Sequence, residues 1–133
     1  MSPTDIPRAV IFDLDGVLAD SEGLHVVAWR QLLDREGVTV SQAEYEHGIG
    51  MTDIAWVRWL FQRRGRQADP KWWQDAKRAV YGELLAANVR TFPGVPALVR
   101  RLAEEFRLGV ASSSWREDIE TVVRGLGLED RVR

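Results

Sequence analysis

AVIFDLDGVLADS, residues 9–21, is the stretch on which the fold turns. Its first four residues form a continuous apolar run that Asp13, Asp15 and Gly16 end abruptly, as expected of a buried parallel strand. A strand is therefore predicted over 9–12. After Asp20, the residues Leu24, Val27, Ala28 and Leu32 recur at helical spacing, and Gly37 stands where a helix stop belongs. That predicts a helix over about 21–36. The next strand signal is LGVA, residues 108–111, and everything between reads as helix or turn.

Ser41 and Glu44 have the spacing of a capping box, opening a short helix that gives way at HGIG, residues 47–50. Thr52 or Asp53 caps the next helix, whose Ile54, Val57 and Phe61 share a face, and RRGRQ at 63–67 ends it as a solvated turn. Asp69 followed by Pro70 is a strong start signal for a helix with a stripe of Trp73, Ala76, Val80, Leu84 and Ala87. Pro93 and Gly94 break the run, and Val95, Leu98, Val99, Leu102 and Phe106 describe one more amphipathic helix before the second strand. Ser114 with Glu117 then predicts a second capping box, for a helix bearing Ile119, Val122, Val123 and Leu126. The fold class is α/β: a core of parallel strands over 1–18 and 89–133, interrupted by an α-helical insertion over 19–88.

Composition narrows the function classes. The chain has 133 residues, of which 45% are hydrophobic, and folding at this length buries roughly 68% of the unfolded surface, enough for a core without staples. It has no cysteine, which excludes thiol catalysis and zinc ribbons. The formal charge of −2 supplies no broad attraction for nucleic acid or an anionic membrane. The apolar run before Asp13 is too short for a signal peptide or a membrane span, so a cytoplasmic location is the expectation. Trp56, Trp59, Trp72 and Trp73 lie near Arg63, Arg64 and Arg66, a combination that also occurs in single-strand nucleic-acid binders, but packing of the insertion accounts for the tryptophans.

In open α/β sheets ligands bind beyond the carboxyl ends of the strands, where Asp13, Asp15 and Ser112 fall. Two carboxylates one residue apart can divide labour, one attacking phosphorus and the other moving the leaving-group proton. Both would stand close to a divalent cation, and magnesium takes a few carboxylate oxygens together with water and substrate phosphate. Ser112 adds a hydroxyl for a phosphate oxygen. A calcium loop counted from Asp13 fails, because Leu18 and Leu24 occupy its sixth and twelfth positions.

FDLDGVLADS, residues 12–21, resembles the first motif of the haloacid dehalogenase superfamily, in its phosphatase and β-phosphoglucomutase branch with a helical cap. The likeness continues through His25 and Trp29, GIGMTD at 48–53, TFPGV at 91–95, and VASSS at 110–114, which resembles the second motif. The resemblance implies an incomplete Rossmann-like core with an inserted cap, Asp13 as nucleophile, Asp15 as general acid and base, and Ser112 as phosphate ligand. It also implies Mg²⁺ held by Asp13 and by the backbone carbonyl of Asp15. Gly16 at the strand-end turn, Ser113 beside Ser112, and His25, one turn into the first cap helix and approaching Asp15, are the further candidate phosphate or substrate residues.

The departures shape the expected activity. The family's third and fourth motifs, a lysine and acidic metal ligands, come later than the second, and the sequence stops at Arg133 before either. The family's sheet also sets strand one between strand two and a later strand, so an unpaired apolar edge, and self-association through it, are expected. Where mutase members carry an arginine and a lysine for a second phosphate, this sequence has Met51 and Trp115. The implied activity is a magnesium-dependent phosphatase acting on a small phosphorylated metabolite through an aspartyl-phosphate. The alternatives are a non-catalytic binding protein that keeps cap and first motif, or a phosphosugar mutase.

Overall fold

The computed structural model describes residues 8–132. In chain order it contains β1 (Ala9–Phe12), α1 (Glu22–Arg35), α2 (Gln42–His47), α3 (Asp53–Arg63), α4 (Pro70–Ala87), α5 (Val95–Leu102), β2 (Arg107–Val110) and α6 (Arg116–Gly125). The strands pair in parallel, with Ala9 opposite Arg107 and Phe12 opposite Val110. Val132 makes an isolated parallel bridge to Leu108, on β2. Among the described residues β1 has no strand on its other edge, and it is not the buried strand expected from its apolar run: its residues alternate between exposed and half-buried, with Ile11 69% exposed.

The chain divides into two compact units, with boundaries at Gly23/Leu24 and Leu84/Leu85. In the α/β unit, Leu14, Leu18, Leu85, Val99, Leu108, Val122 and Leu128 are buried. Residues 19–23 and 85–88, expected in the insertion, fall within the α/β unit. The Asp20 amide donates to the Arg90 carbonyl at 3.0 Å, and the Thr91 hydroxyl donates to the Leu18 carbonyl at 2.7 Å.

The helical unit buries Ala28, Leu32 and Leu33 of α1 with Trp56, Val57, Leu60 and Phe61 of α3 and Trp73, Val80 and Tyr81 of α4. The Ser41 capping box forms as expected: its hydroxyl accepts from the Glu44 amide while the Glu44 carboxylate accepts from the Ser41 amide at 2.9 Å. Thr52, rather than Asp53, caps α3, and the Asp69 carboxylate accepts from the Lys71 and Trp72 amides at the start of α4. Gly48 is required by packing, since a Cβ there would stand 2.6 Å from Trp56 Cδ1.

Three readings of the sequence need correction. The turn at 63–67 is not simply solvated: Arg64 donates to the Leu60 and Thr39 carbonyls and pairs with Glu44 at 2.8 Å, tying α3 to α2. The last helix before β2 ends at Leu102 instead of continuing to Phe106. Ser114 does not cap α6: the N-cap is Trp115, which makes no side-chain cap bond, and the Ser114 hydroxyl donates to Asp15 instead. No helix among the described residues is long and apolar enough to cross a membrane.

Candidate active site

The parallel register brings the carboxyl ends of β1 and β2 side by side, and the Ala111 amide donates to the Phe12 carbonyl at 2.9 Å just past the last paired residues. Asp13 leaves one strand and Ser112 the other at that end, the ligand-binding side of such sheets. The chain then turns tightly. Amides of Val17, Leu18 and Ala19 donate to the Leu14 carbonyl and the Gly16 amide donates to Ala19, while Gly16 adopts φ 75°, a region that glycine enters without steric cost. This turn buries Leu14 and Leu18 and leaves the alternate residues Asp13 and Asp15 out of the core.

Asp13 is exposed, and its Oδ1 accepts from the Leu14 amide at 2.7 Å, which fixes the carboxylate at the strand end. Asp15 is held from both sides. Its Oδ1 accepts from the Ser21 hydroxyl at 2.5 Å and its Oδ2 from the Ser114 hydroxyl at 2.5 Å. Ser112 Oγ in turn accepts from the Ser114 amide at 3.0 Å, so Ser21, Asp15, Ser114 and Ser112 form one hydrogen-bonded chain across the strand ends. Hydroxyl bonds to an ionised acceptor are short and strong, and they set the direction of a carboxylate.

The expected residues distribute unevenly around this geometry. Asp13, Asp15 and Ser112 gather at the strand ends as anticipated, and Ser113 lies between Ser112 and Ser114 with its side chain exposed. The Gly16 amide is consumed by the turn, so it has no backbone donor left for a phosphate. His25 lies in the helical unit, where its Nδ1 stands 2.9 Å from Lys77 Nζ and its ring stacks on Tyr81 at 4.2 Å. Sequence reasoning missed Ser21 and Ser114 as partners of Asp15. Ser21 is almost fully buried, and a serine closing the run after two aspartates was the available signal.

The donor set fits part of a magnesium site. An exposed Asp13 carboxylate is a ready ligand, and the backbone bonds of the turn are received by the Leu14 and Ala19 carbonyls rather than by that of Asp15. Both carboxylate oxygens of Asp15 already accept from serines. Among the described residues there is no group of three or more His, Cys, Asp or Glu side chains placed to hold a metal.

The model of the haloacid dehalogenase-like hydrolases matches residues 10–133. The chain belongs to this family. Two curated members similar to it are a probable pseudouridine-5'-phosphatase of Drosophila melanogaster, 28% identical over 113 residues, and a phosphorylated carbohydrates phosphatase of Thermotoga maritima, 29% identical over 127 residues. These alignments cover 83% and 92% of this chain but 48% and 57% of those hydrolases, so the chain spans about half their length. Among solved structures, the magnesium-bound HAD-hydrolase YfnB from Bacillus subtilis has a TM-score of 0.77 at 16% identity, covering 96% of this chain and 63% of that one. A β-phosphoglucomutase from Thermotoga maritima, itself assigned provisionally, has the same TM-score at 21% identity, covering 94% and 58%. At such identities the structures establish a shared haloacid dehalogenase fold, with the α/β architecture expected from the sequence.

Proposed function

We propose that these residues belong to a phosphomonoester hydrolase that forms an aspartyl-phosphate on Asp13, with the helical unit as its inserted cap. The observation that carries the reading is the contrast between the two carboxylates: Asp13 is exposed and, among the described residues, accepts from the adjacent amide, while Asp15 is oriented by two hydroxyls. In the first step an Asp13 oxygen forms a bond to phosphorus as the ester P–O bond breaks, and the departing oxygen takes a proton from Asp15. In the second, water attacks the aspartyl-phosphate, Asp15 accepts the water's proton, and inorganic phosphate leaves with Asp13 restored. Ser112 would hold a phosphate oxygen, and Ser21 and Ser114 keep Asp15 aimed through both steps. Magnesium, bound through Asp13 and the Asp15 carbonyl, would supply charge neutralisation on the phosphoryl oxygens.

The phosphatase names of the two curated relatives support this class, and both names denote phosphorylated small molecules. The test is release of p-nitrophenol from p-nitrophenyl phosphate with Mg²⁺. Turnover is expected to disappear in Asp13→Asn and on chelation of magnesium, and a fully active Asp13→Asn protein would refute the nucleophile. A second reading, a non-catalytic binding protein, is favoured by the occupation of both Asp15 carboxylate oxygens by the Ser21 and Ser114 hydroxyls. Magnesium and phosphate binding with no turnover in the unsubstituted protein would select it.

A further inference from the structure

The end of α3 forms a cleft of about 340 Å³ lined by Arg58, Phe61, Gln62, Arg66, Gln67 and Ala68, all within the helical unit. Its shape follows from how the helix stops. Arg64 is the cap and Gly65 adopts φ 62°; the Arg66 amide donates to the Phe61 carbonyl and the Gly65 amide to that of Gln62, each at 3.0 Å, which is the Schellman pattern of bonds. In that motif the residue two after the cap frequently packs apolar surface on the residue three before it. Here those residues are Arg66 and Phe61, and the guanidinium lies over the ring, 5.8 Å from its centroid. Phe61 is 4% exposed and packs on Trp73 at 5.1 Å, so the arginine rests on a fixed floor. A charge in place of an apolar residue departs from the local rule without serving the turn, and such departures concentrate at functional sites.

Arg58 reaches the same cleft from the helix, one turn before Gln62 and on the same face. Cations elsewhere in the helical unit are paired: Arg64 with Glu44, Lys71 with Asp75 and Lys77 with Asp53. Arg58 and Arg66 make no ion pair among the described residues, and no carboxylate lines the cleft. The backbone acceptors at the helix end are used as well. The Leu60 carbonyl accepts from the Arg64 guanidinium at 3.0 Å, and the Phe61 and Gln62 carbonyls accept from the amides of the turn. The side chains facing the cleft are thus dominated by donors, two guanidiniums and two carboxamides. Two positive charges on one cleft repel each other, and an anion between them removes that repulsion. The guanidinium fork matches the oxygen spacing of carboxylate and phosphate, which it binds bidentately.

We propose that this cleft binds a compact anion with at least two negative charges, a phosphate group or a di- or tricarboxylate, held between Arg58 and Arg66. The site does not depend on the phosphatase reading, because all its residues come from the helical unit and none takes part in the steps at Asp13.

The probes are inorganic phosphate and citrate, titrated separately into the full chain without magnesium and at constant ionic strength. The arginine Nε–H signals are followed by NMR and assigned from Arg58→Gln, Arg63→Gln and Arg66→Gln. Saturable shifts of the Arg58 and Arg66 signals are expected, with a dissociation constant of about 0.1 to 1 mM. Acetate, with a single charge, should bind at least about tenfold more weakly. Arg58→Gln and Arg66→Gln should each weaken binding at least about tenfold, the size of one lost charge-assisted hydrogen bond. Both side chains are exposed and Arg66→Gln keeps the amide that closes the turn, so neither change threatens folding. Arg63→Gln is the control. It removes the same charge from the same helix end, but Arg63 lies over the Trp59 ring, 5.1 Å from its centroid, and outside the cleft. Its loss should change the dissociation constant by less than about twofold, since exposed charges away from the ligand are screened. Tighter binding of phosphate than of citrate identifies a phosphate-bearing ligand, and the reverse order a polycarboxylate. The proposal is overturned if the Arg58 and Arg66 signals stay unmoved, if phosphate shifts only the amides at Ser112 to Ser114, or if Arg63→Gln weakens binding as much as the other two changes. It is also overturned if a single-stranded oligothymidylate displaces the anion and draws equally on all three arginines, which would make the surface one for nucleic acid.

Discussion

Removing the hydroxyls around Asp15 tests the geometry of the site without requiring turnover. Ser21 Oγ and Ser114 Oγ each stand 2.5 Å from a different oxygen of the same carboxylate. A hydrogen bond to a charged acceptor contributes about 1.5 to 3 kcal/mol, and the position within that range depends on whether water can replace the lost donor. Ser21 is 1% exposed, so water has no access, and Ser21→Ala should cost about 3 kcal/mol. Ser114 is half-buried, and Ser114→Ala should cost about 1.5 kcal/mol. For a domain of this length the first change lowers Tm by about 10 °C and the second by about half as much. Urea unfolding of the unsubstituted protein, Asp15→Ala, Ser21→Ala and the double variant gives the coupling between Ser21 and Asp15 as a double-mutant cycle, expected at about 2 kcal/mol. A coupling below about 0.5 kcal/mol, or a larger cost for Ser114→Ala than for Ser21→Ala, would show that the carboxylate is not held in this way.

Three other outcomes follow from the packing. Gly48→Ala places a Cβ 2.6 Å from the Trp56 ring, and thermal melts should show a loss of about 1 to 3 kcal/mol, whereas Gly23→Ala, with open space around it, should cost nothing comparable. Glu44 is held down to about 2 by its bond to Arg64, then by the Ser41 amide. Because its folded value is depressed, its contribution is complete above the ordinary carboxylate value of 4.5 and fades as pH falls toward 2. After allowance for solvent, the stability gap between the unsubstituted protein and Glu44→Gln should be about 1 to 2 kcal/mol at pH 7 and should vanish near pH 2, as read by urea unfolding across that range. At the open edge of β1, sedimentation velocity should reveal concentration-dependent association that Ile11→Lys abolishes; an unchanged monomer across the same range would remove the edge as its cause.

What the sequence disclosed was whatever depends on neighbours along the chain. AVIF followed by two aspartates marks β1 and the strand end that carries them, and the Ser41–Glu44 and Asp69–Pro70 signals open the helices they predict. Ser114 misleads for the same reason. Its spacing to Glu117 satisfies a local rule, but the folded chain puts the N-cap at Trp115 and brings the Ser114 hydroxyl to Asp15, distant in sequence, as a donor. Arg64 reads as one of three solvated arginines, and only the folded chain brings the Thr39 carbonyl and Glu44 to its guanidinium. Lys77 is the most instructive case. It stands four residues after Trp73 and three before Val80, inside the apolar stripe of α4, so its burial was legible from helical spacing. Its partners Asp53 and His25 come from other turns of the chain and were not. His25, whose place in the sequence points toward Asp15, has Lys77 among its partners in the folded chain.

The most direct measurement of the central claim is the mass of the peptide carrying Asp13 after the protein is mixed with magnesium and p-nitrophenyl phosphate and quenched in acid. The expected result is one phosphoryl group on Asp13, present in the unsubstituted protein and absent from Asp13→Asn. Phosphoryl transfer to a different residue, or nitrophenol release that continues in Asp13→Asn with position 13 never labelled, would contradict it.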